Sequence, residues 1–106
     1  MGLLKLFSRK NINEGVADYQ NTPGAVLVDV RDPDEYRSGH IPGGVNVPLG
    51  TMAQIRQAVP DTATPLFVYC LSGARSSQAE RALKQMGYAN VNNIGGINGY
   101  KGPVER

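Results

Sequence analysis

Two nearly unbroken apolar runs, Ala25–Val30 (AVLVDV) and Leu66–Cys70 (LFVYC), carry the strongest hydrophobic signal in the chain. Each is short and holds β-branched or aromatic side chains, the pattern of a strand covered on both faces. Weaker strand patterns lie at Gly44–Val47 (GVNV), at Asn90–Ile94 (NVNNI) and, as an edge candidate, at Lys5–Phe7. Helical spacing falls between them. Ile12, Val16 and Tyr19 stand at i, i+4 and i+7, with Asn13 placed as an N-cap. Asp32-Pro33-Asp34-Glu35 offers a cap, a proline at the first helical position and a glutamate three residues on, and this helix must stop by Gly39. Thr51 is placed to cap a helix that turns Met52, Ile55 and Val59 inward before Pro60 ends it. The clearest helix runs from about Arg75 to Met86, with Ala79, Ala82, Leu83 and Met86 in one stripe and Gly87 as its stop. Strands alternating with helices predict an α/β fold with a mostly parallel sheet.

Composition narrows the picture. A length of 106 residues predicts one domain spanning 1–106, with room for one core and one site. Eleven Lys and Arg against nine Asp and Glu leave a dispersed net charge of +2, which argues against a nucleic-acid partner. One Cys and one His exclude a zinc or Fe–S site within a single chain, so no metal is expected. The lone cysteine also excludes an internal disulfide and fits a reducing compartment. The opening MGLLKLFSRK is interrupted by Lys5 and is too short for a signal-peptide core. No apolar run approaches the roughly 18 residues of a spanning helix, so no membrane partner is expected and the chain reads as soluble and cytoplasmic.

Chemistry concentrates where the second strong strand ends. Val68-Tyr69-Cys70-Leu71-Ser72-Gly73-Ala74-Arg75-Ser76-Ser77 reads as a buried strand closing on the only cysteine, a short glycine-bearing loop, and a helix beginning at about Arg75. In an open parallel sheet, ligands bind just beyond the carboxyl ends of the strands. Backbone N–H groups of such a loop converge with the first helical turn into an anion-binding nest. The same field favours a thiolate, lowering a cysteine pKa from about 8.5 toward roughly 3.5–7.5. The plainer alternative makes Cys70 a small buried hydrophobe. Packing alone, however, gives no reason for a glycine turn and a helix tip to begin at cysteine. Cys70 is therefore the candidate nucleophile, and Leu71, Ser72, Gly73, Ala74 and Arg75 are candidate substrate-binding residues. An arginine in the first helical turn is mildly unfavourable with the helix dipole, which points to a role bracing the loop or meeting an anion.

These residues are familiar. Cys70-Leu-Ser-Gly-Ala-Arg75 resembles the six-residue active-site loop of the rhodanese family, a Cys and an Arg with four residues between. Val28-Asp-Val-Arg-Asp-Pro-Asp-Glu-Tyr-Arg-Ser-Gly-His-Ile-Pro-Gly-Gly-Val-Asn-Val-Pro48 looks like the family's upstream signature almost throughout. Gly95-Gly-Ile-Asn-Gly-Tyr100 followed by Gly102-Pro103 resembles the downstream one. The resemblance implies a three-layer α/β/α domain with a five-stranded parallel sheet. It also implies a sulfurtransferase without cofactors that works through a persulfide on the loop cysteine. A small anionic donor such as thiosulfate supplies the sulfur, and cyanide or a thiol, including one on a protein, removes it. Two departures stand out. Tyr100 occupies a position where the family commonly has Trp, from which a packing consequence is expected. Leu71 and Ala74 are apolar where many active members carry cationic or polar side chains.

Two other uses of the same residues compete with transfer chemistry. A non-enzymatic sulfur carrier or partner-binding module needs the same fold but no turnover. Cys-based phosphatases and arsenate reductases use a related but longer loop, and Tyr69 stands where the phosphatases usually have His. His40, in His40-Ile-Pro-Gly-Gly, is expected to be structural, because a preformed thiolate gains little from a base. Asp29, Arg31 and Glu35 are expected to make capping and ion-pair contacts beneath the site.

Overall fold

The computed structural model describes residues 11–106. Strands β1 (Val26–Asp29), β2 (Val45–Asn46), β3 (Leu66–Cys70) and β4 (Val91–Gly96) form a parallel sheet in the order β2-β1-β3-β4. The two strong apolar runs are its two inner strands, as their continuous hydrophobicity required. The expected fifth strand is not among the described residues, so the sheet there has four strands. Every described run with strand character is already paired, and the Lys5–Phe7 candidate lies outside the described residues.

Successive side chains of a strand point to opposite faces, and this alternation makes two cores. On one face Val28, Leu66, Val68 and Cys70 pack with Met52, Ile55, Ala79 and Leu83. On the other, Leu27, Phe67 and Tyr69 pack with Ile12, Val16 and Ile94. Helix α1 (Ile12–Gln20) therefore covers one face. Helices α3 (Ile55–Ala58) and α4 (Ala74–Gln85) cover the other, giving the expected three layers. The short α2 (Pro33–Ser38) follows β1. Tyr100 packs against the α1 side, so the tyrosine at this position keeps an aromatic ring on the core.

Three local expectations change. Asn11, not Asn13, caps α1, its side chain accepting from the Glu14 N–H at 3.0 Å. Burial of Ile12 fixes the first helical residue there, and Asn13 instead holds the far end of the chain through the Gly99 carbonyl and the Lys101 N–H. Thr51 does not cap a helix. It interrupts a 3-10 segment, Leu49–Gln54, with φ −129° and ψ 43°, and regular α-helix begins only at Ile55. The inward residues Met52, Ile55 and Val59 are nevertheless buried as expected. Helix α4 begins at Ala74, one residue before the expected start. None of the described helices is long and apolar enough to cross a membrane.

Candidate active site

Cys70 closes β3 on the face covered by α4, buried and free of any disulfide. The chain then turns through Leu71–Gly73 and enters α4. Gly73 makes this turn with φ +109°, a backbone conformation that suits glycine. The turn aims the Gly73 N–H at Cys70 Sγ, 2.9 Å away, and brings Ser76 Oγ to 3.5 Å from the same sulfur. Burial pushes the thiol pKa up, but hydrogen bonds from the Ser76 hydroxyl and from the Ser76, Gly73 and Ser72 N–H groups outweigh it. The thiol is held below its ordinary value.

Strand β4 supports the loop from below. A Cβ on Gly96 would stand 2.2 Å from the Leu71 carbonyl oxygen and 2.6 Å from Ser72 Cα, so only glycine lets the strand lie against the loop. The Asn98 N–H then donates to the Leu71 carbonyl at 3.1 Å. The side chains of Leu71, Ser72 and Ala74 stay exposed, Leu71 at 45%.

Arg75 is spoken for. Its guanidinium grips Glu35 with Nη1 to Oε1 at 2.7 Å and Nη2 to Oε2 at 3.0 Å, tying the start of α4 to α2. This bidentate bond is the main reason the Glu35 carboxyl is held down to about 2, against the effect of its burial. Glu35 also accepts from the Asp32 N–H at 3.0 Å, the capping contact expected of it. Of the two roles expected for Arg75, these contacts are those of a brace.

The upstream motif is scaffold in its geometry. Arg31 pairs with the fully buried Asp29, Nη2 to Oδ2 at 2.6 Å and Nε to Oδ1 at 3.0 Å, and donates to the Gly39 carbonyl at 2.8 Å. Asn46 bridges the Asp29 and Arg31 carbonyls, both at 2.9 Å. Tyr69 lies beneath the Arg31 guanidinium, and its hydroxyl accepts from the Ile41 N–H at 3.0 Å. Burial, then the charge of Asp29, pushes that hydroxyl's pKa well up, so it stays protonated. His40 stacks on Tyr36 with ring centroids 3.7 Å apart, and its Nδ1 lies 3.0 Å from the Tyr36 carbonyl. Its backbone exchanges two hydrogen bonds with Glu105, at 2.9 and 2.8 Å, so His40 pins the carboxyl-terminal tail. These contacts belong to a structural histidine.

Two residues escaped the reading of the sequence. Ser76 and Asn93 hydrogen-bond to each other at 2.7 Å directly behind Cys70. Ser76 continues the inward stripe of Ala79 and Leu83 at helical spacing, a legible signal that a polar side chain faces the core. No group of three or more His, Cys, Asp or Glu among the described residues is arranged to hold a metal ion. The arrangement is one buried sulfur at the carboxyl end of an inner strand, with the Gly73 N–H and the Ser76 hydroxyl against it, which suits nucleophilic attack by sulfur.

Residues 13–103 match the rhodanese-like domain family. The chain is 42% identical over 71 residues to the thiosulfate sulfurtransferase PspE of Escherichia coli, covering 66% of this chain and 68% of that protein. It is 38% identical over 84 residues to a thiosulfate:glutathione sulfurtransferase of Saccharomyces cerevisiae, covering 68% of this chain and 60% of that one. A solved E. coli rhodanese with anions superposes with a TM-score of 0.72 at 37% identity, over 77% of this chain and 98% of that one. The chain therefore belongs to the rhodanese-like domain family, as a sulfurtransferase of the rhodanese type.

Proposed function

We propose that Cys70 is the nucleophile of a two-step sulfur transfer. In the first step the Cys70 thiolate attacks the outer sulfur of a donor such as thiosulfate. A new S–S bond forms on the enzyme, the donor's S–S bond breaks, and its electron pair leaves with sulfite. In the second, cyanide or a thiolate attacks the outer sulfur of the Cys70 persulfide. The product is thiocyanate or a new persulfide, and the Cys70 thiolate returns. Each half-reaction ends in a stable enzyme form, so the kinetics are ping-pong.

The observation that carries this reading is the Gly73 N–H at 2.9 Å and the Ser76 hydroxyl at 3.5 Å from one sulfur, in a loop whose N–H groups hold the thiol below its ordinary pKa. Fixed donors stabilise negative charge on sulfur in the resting thiolate and again in the persulfide. Leu71, Ser72, Gly73, Ala74 and Arg75 line the approach. With Arg75 occupied by Glu35 and with Leu71 and Ala74 apolar, the donor is held by backbone N–H groups and the Ser72 hydroxyl rather than by side-chain charge. A thiol acceptor suits such a loop, and the glutathione in the yeast relative's name is consistent with it. The chain works as one domain in a reducing cytoplasm, where thiol acceptors are abundant and its lone cysteine stays unpaired. Mass spectrometry of the intact protein after incubation with thiosulfate tests the first step. One added sulfur is expected on the wild type, lost on adding cyanide, and none on Cys70→Ser. Sulfur retained by Cys70→Ser overturns the reading.

A further inference from the structure

The Ser76 hydroxyl has one proton and three acceptors within reach. It donates to Asn93 Oδ1 at 2.7 Å, with the Gly73 carbonyl oxygen at 3.1 Å and Cys70 Sγ at 3.5 Å. A hydroxyl offers one donor and two lone pairs, so it can serve the sulfur or Asn93 fully, but not both. Turned to Asn93, it presents lone pairs to the sulfur and accepts an S–H. Turned to the sulfur, it donates to a thiolate. Ser76 is fully buried, so water cannot take either partner's place. We propose that Asn93 is a positioning residue for Cys70, its amide oxygen competing with the sulfur for the single Ser76 proton and so setting how readily the thiolate forms.

The surroundings make that competition reversible. Asn93 Oδ1 also accepts from the Gly95 N–H at 3.0 Å, so it keeps a partner when Ser76 turns away. The register of β4 puts Asn93 beside Val68, on the face that carries Cys70, and then shifts before Gly95. Few charges compete with this device. Strand β4 carries none, Arg75 of α4 is paired with Glu35 of α2, and Asp29 of β1 is paired with Arg31. The inference rests on Cys70 as the sulfur-accepting thiol. Its test needs no sulfur donor, so the two can fail separately.

The experiment is the rate of iodoacetamide alkylation of Cys70 against pH, with circular dichroism confirming the fold. Ser76→Ala removes the donor and raises the alkylation midpoint by about one pH unit. Asn93→Leu removes the competing acceptor and lowers the midpoint by about half a pH unit, a part of the effect remaining with the Gly73 carbonyl. In the Ser76→Ala background, Asn93→Leu leaves the midpoint where Ser76→Ala put it. Opposite signs from two touching residues, and loss of the second effect in the double variant, are outcomes that general loosening does not produce. An unchanged or raised midpoint in Asn93→Leu, or the same fall in both backgrounds, overturns the proposal. Asn93→Asp keeps the shape with a stronger acceptor and carries the test if Asn93→Leu does not fold. Its midpoint rises, and rises less when Ser76 is alanine; equal rises in both backgrounds overturn the proposal.

Discussion

Strands β1 and β3 end side by side, with Asp29 in register with Tyr69, yet the regions beyond them are built in opposite ways. Beyond β1, side-chain charge is matched by side-chain charge. Asp29 and Arg31 hold each other, and the Arg31 guanidinium and Asn46 are used on neighbouring carbonyls. Beyond β3 the Arg75–Glu35 pair braces the loop, and the Gly73 N–H with its neighbouring loop donors is turned on one ionisable atom. Position relative to the sheet does not distinguish the two, since both occupy the place where α/β folds bind ligands. What separates them is whether the polar groups are used up on one another. A saturated corner is scaffold, and an unsaturated one is a site.

The largest effect expected from breaking this contrast is at the sulfur. Cys70→Ser is nearly isosteric and should leave circular dichroism unchanged while abolishing thiocyanate formation from thiosulfate and cyanide. Thiocyanate production near the wild-type rate would remove the site from the β3 end altogether. Next in size comes the corner beyond β1. Arg31→Met leaves the Asp29 carboxylate buried without its partner, at an expected cost of about 3–5 kcal/mol in urea unfolding. Adding Asp29→Asn should recover much of that loss, because the damage comes from the stranded charge. The Cys70 alkylation midpoint of the folded protein should stay put in both variants.

How much of this contrast was legible in the sequence depends on range. Leu66–Cys70 and the helix after it are read to within a residue, because periodicity and Gly87 are local signals. The Asp32-Pro33 helix start and its Glu35 contact are equally local. Glu35 and Arg75, by contrast, meet across 40 residues, so the sequence left Arg75 between brace and anion ligand. The Asn13 contact with Lys101 spans 88 residues, and nothing near Asn13 distinguished it from the true cap at Asn11. Asn93 was hidden for another reason. The two apolar residues of NVNNI, Val91 and Ile94, pack in opposite cores, so the segment shows no clean alternation that would have marked Asn93 as inward.

A smaller effect sharpens the division of labour within the site. Arg75→Ala should raise the Cys70 alkylation midpoint by about half a pH unit or less, since Glu35 already offsets the arginine's charge and both side chains are about one-third exposed. Part of the rise comes from leaving Glu35 unpaired, so Arg75→Ala with Glu35→Gln should sit closer to the wild type. His40→Ala should leave the midpoint alone, because its contacts are with Tyr36 and the Glu105 tail. A midpoint that follows His40 and ignores Arg75 would put a Cys–His pair in place of the backbone donors.

The smallest expected effect is the brace's own contribution to stability, and its sign follows from the Glu35 carboxyl. The hydrogen bond from Arg75, opposed by burial, holds that carboxyl at about 2 in the folded protein, below the ordinary 4.5 of the unfolded chain. A group depressed in this way stabilises the fold above its unfolded value and loses that contribution as pH falls toward the folded one. The pair is partly exposed and screened, so about 0.5 kcal/mol is expected, well short of what the pKa difference alone would give. Glu35→Gln keeps an acceptor for the Asp32 N–H and removes only the charge. Urea unfolding of the two proteins should therefore differ by a constant small amount above pH 5 and converge between about pH 4.5 and 2. Identical unfolding of the two proteins at every pH would mean that Glu35 supports α2 by its shape alone, leaving the tie between α2 and the Cys70 loop without an electrostatic part.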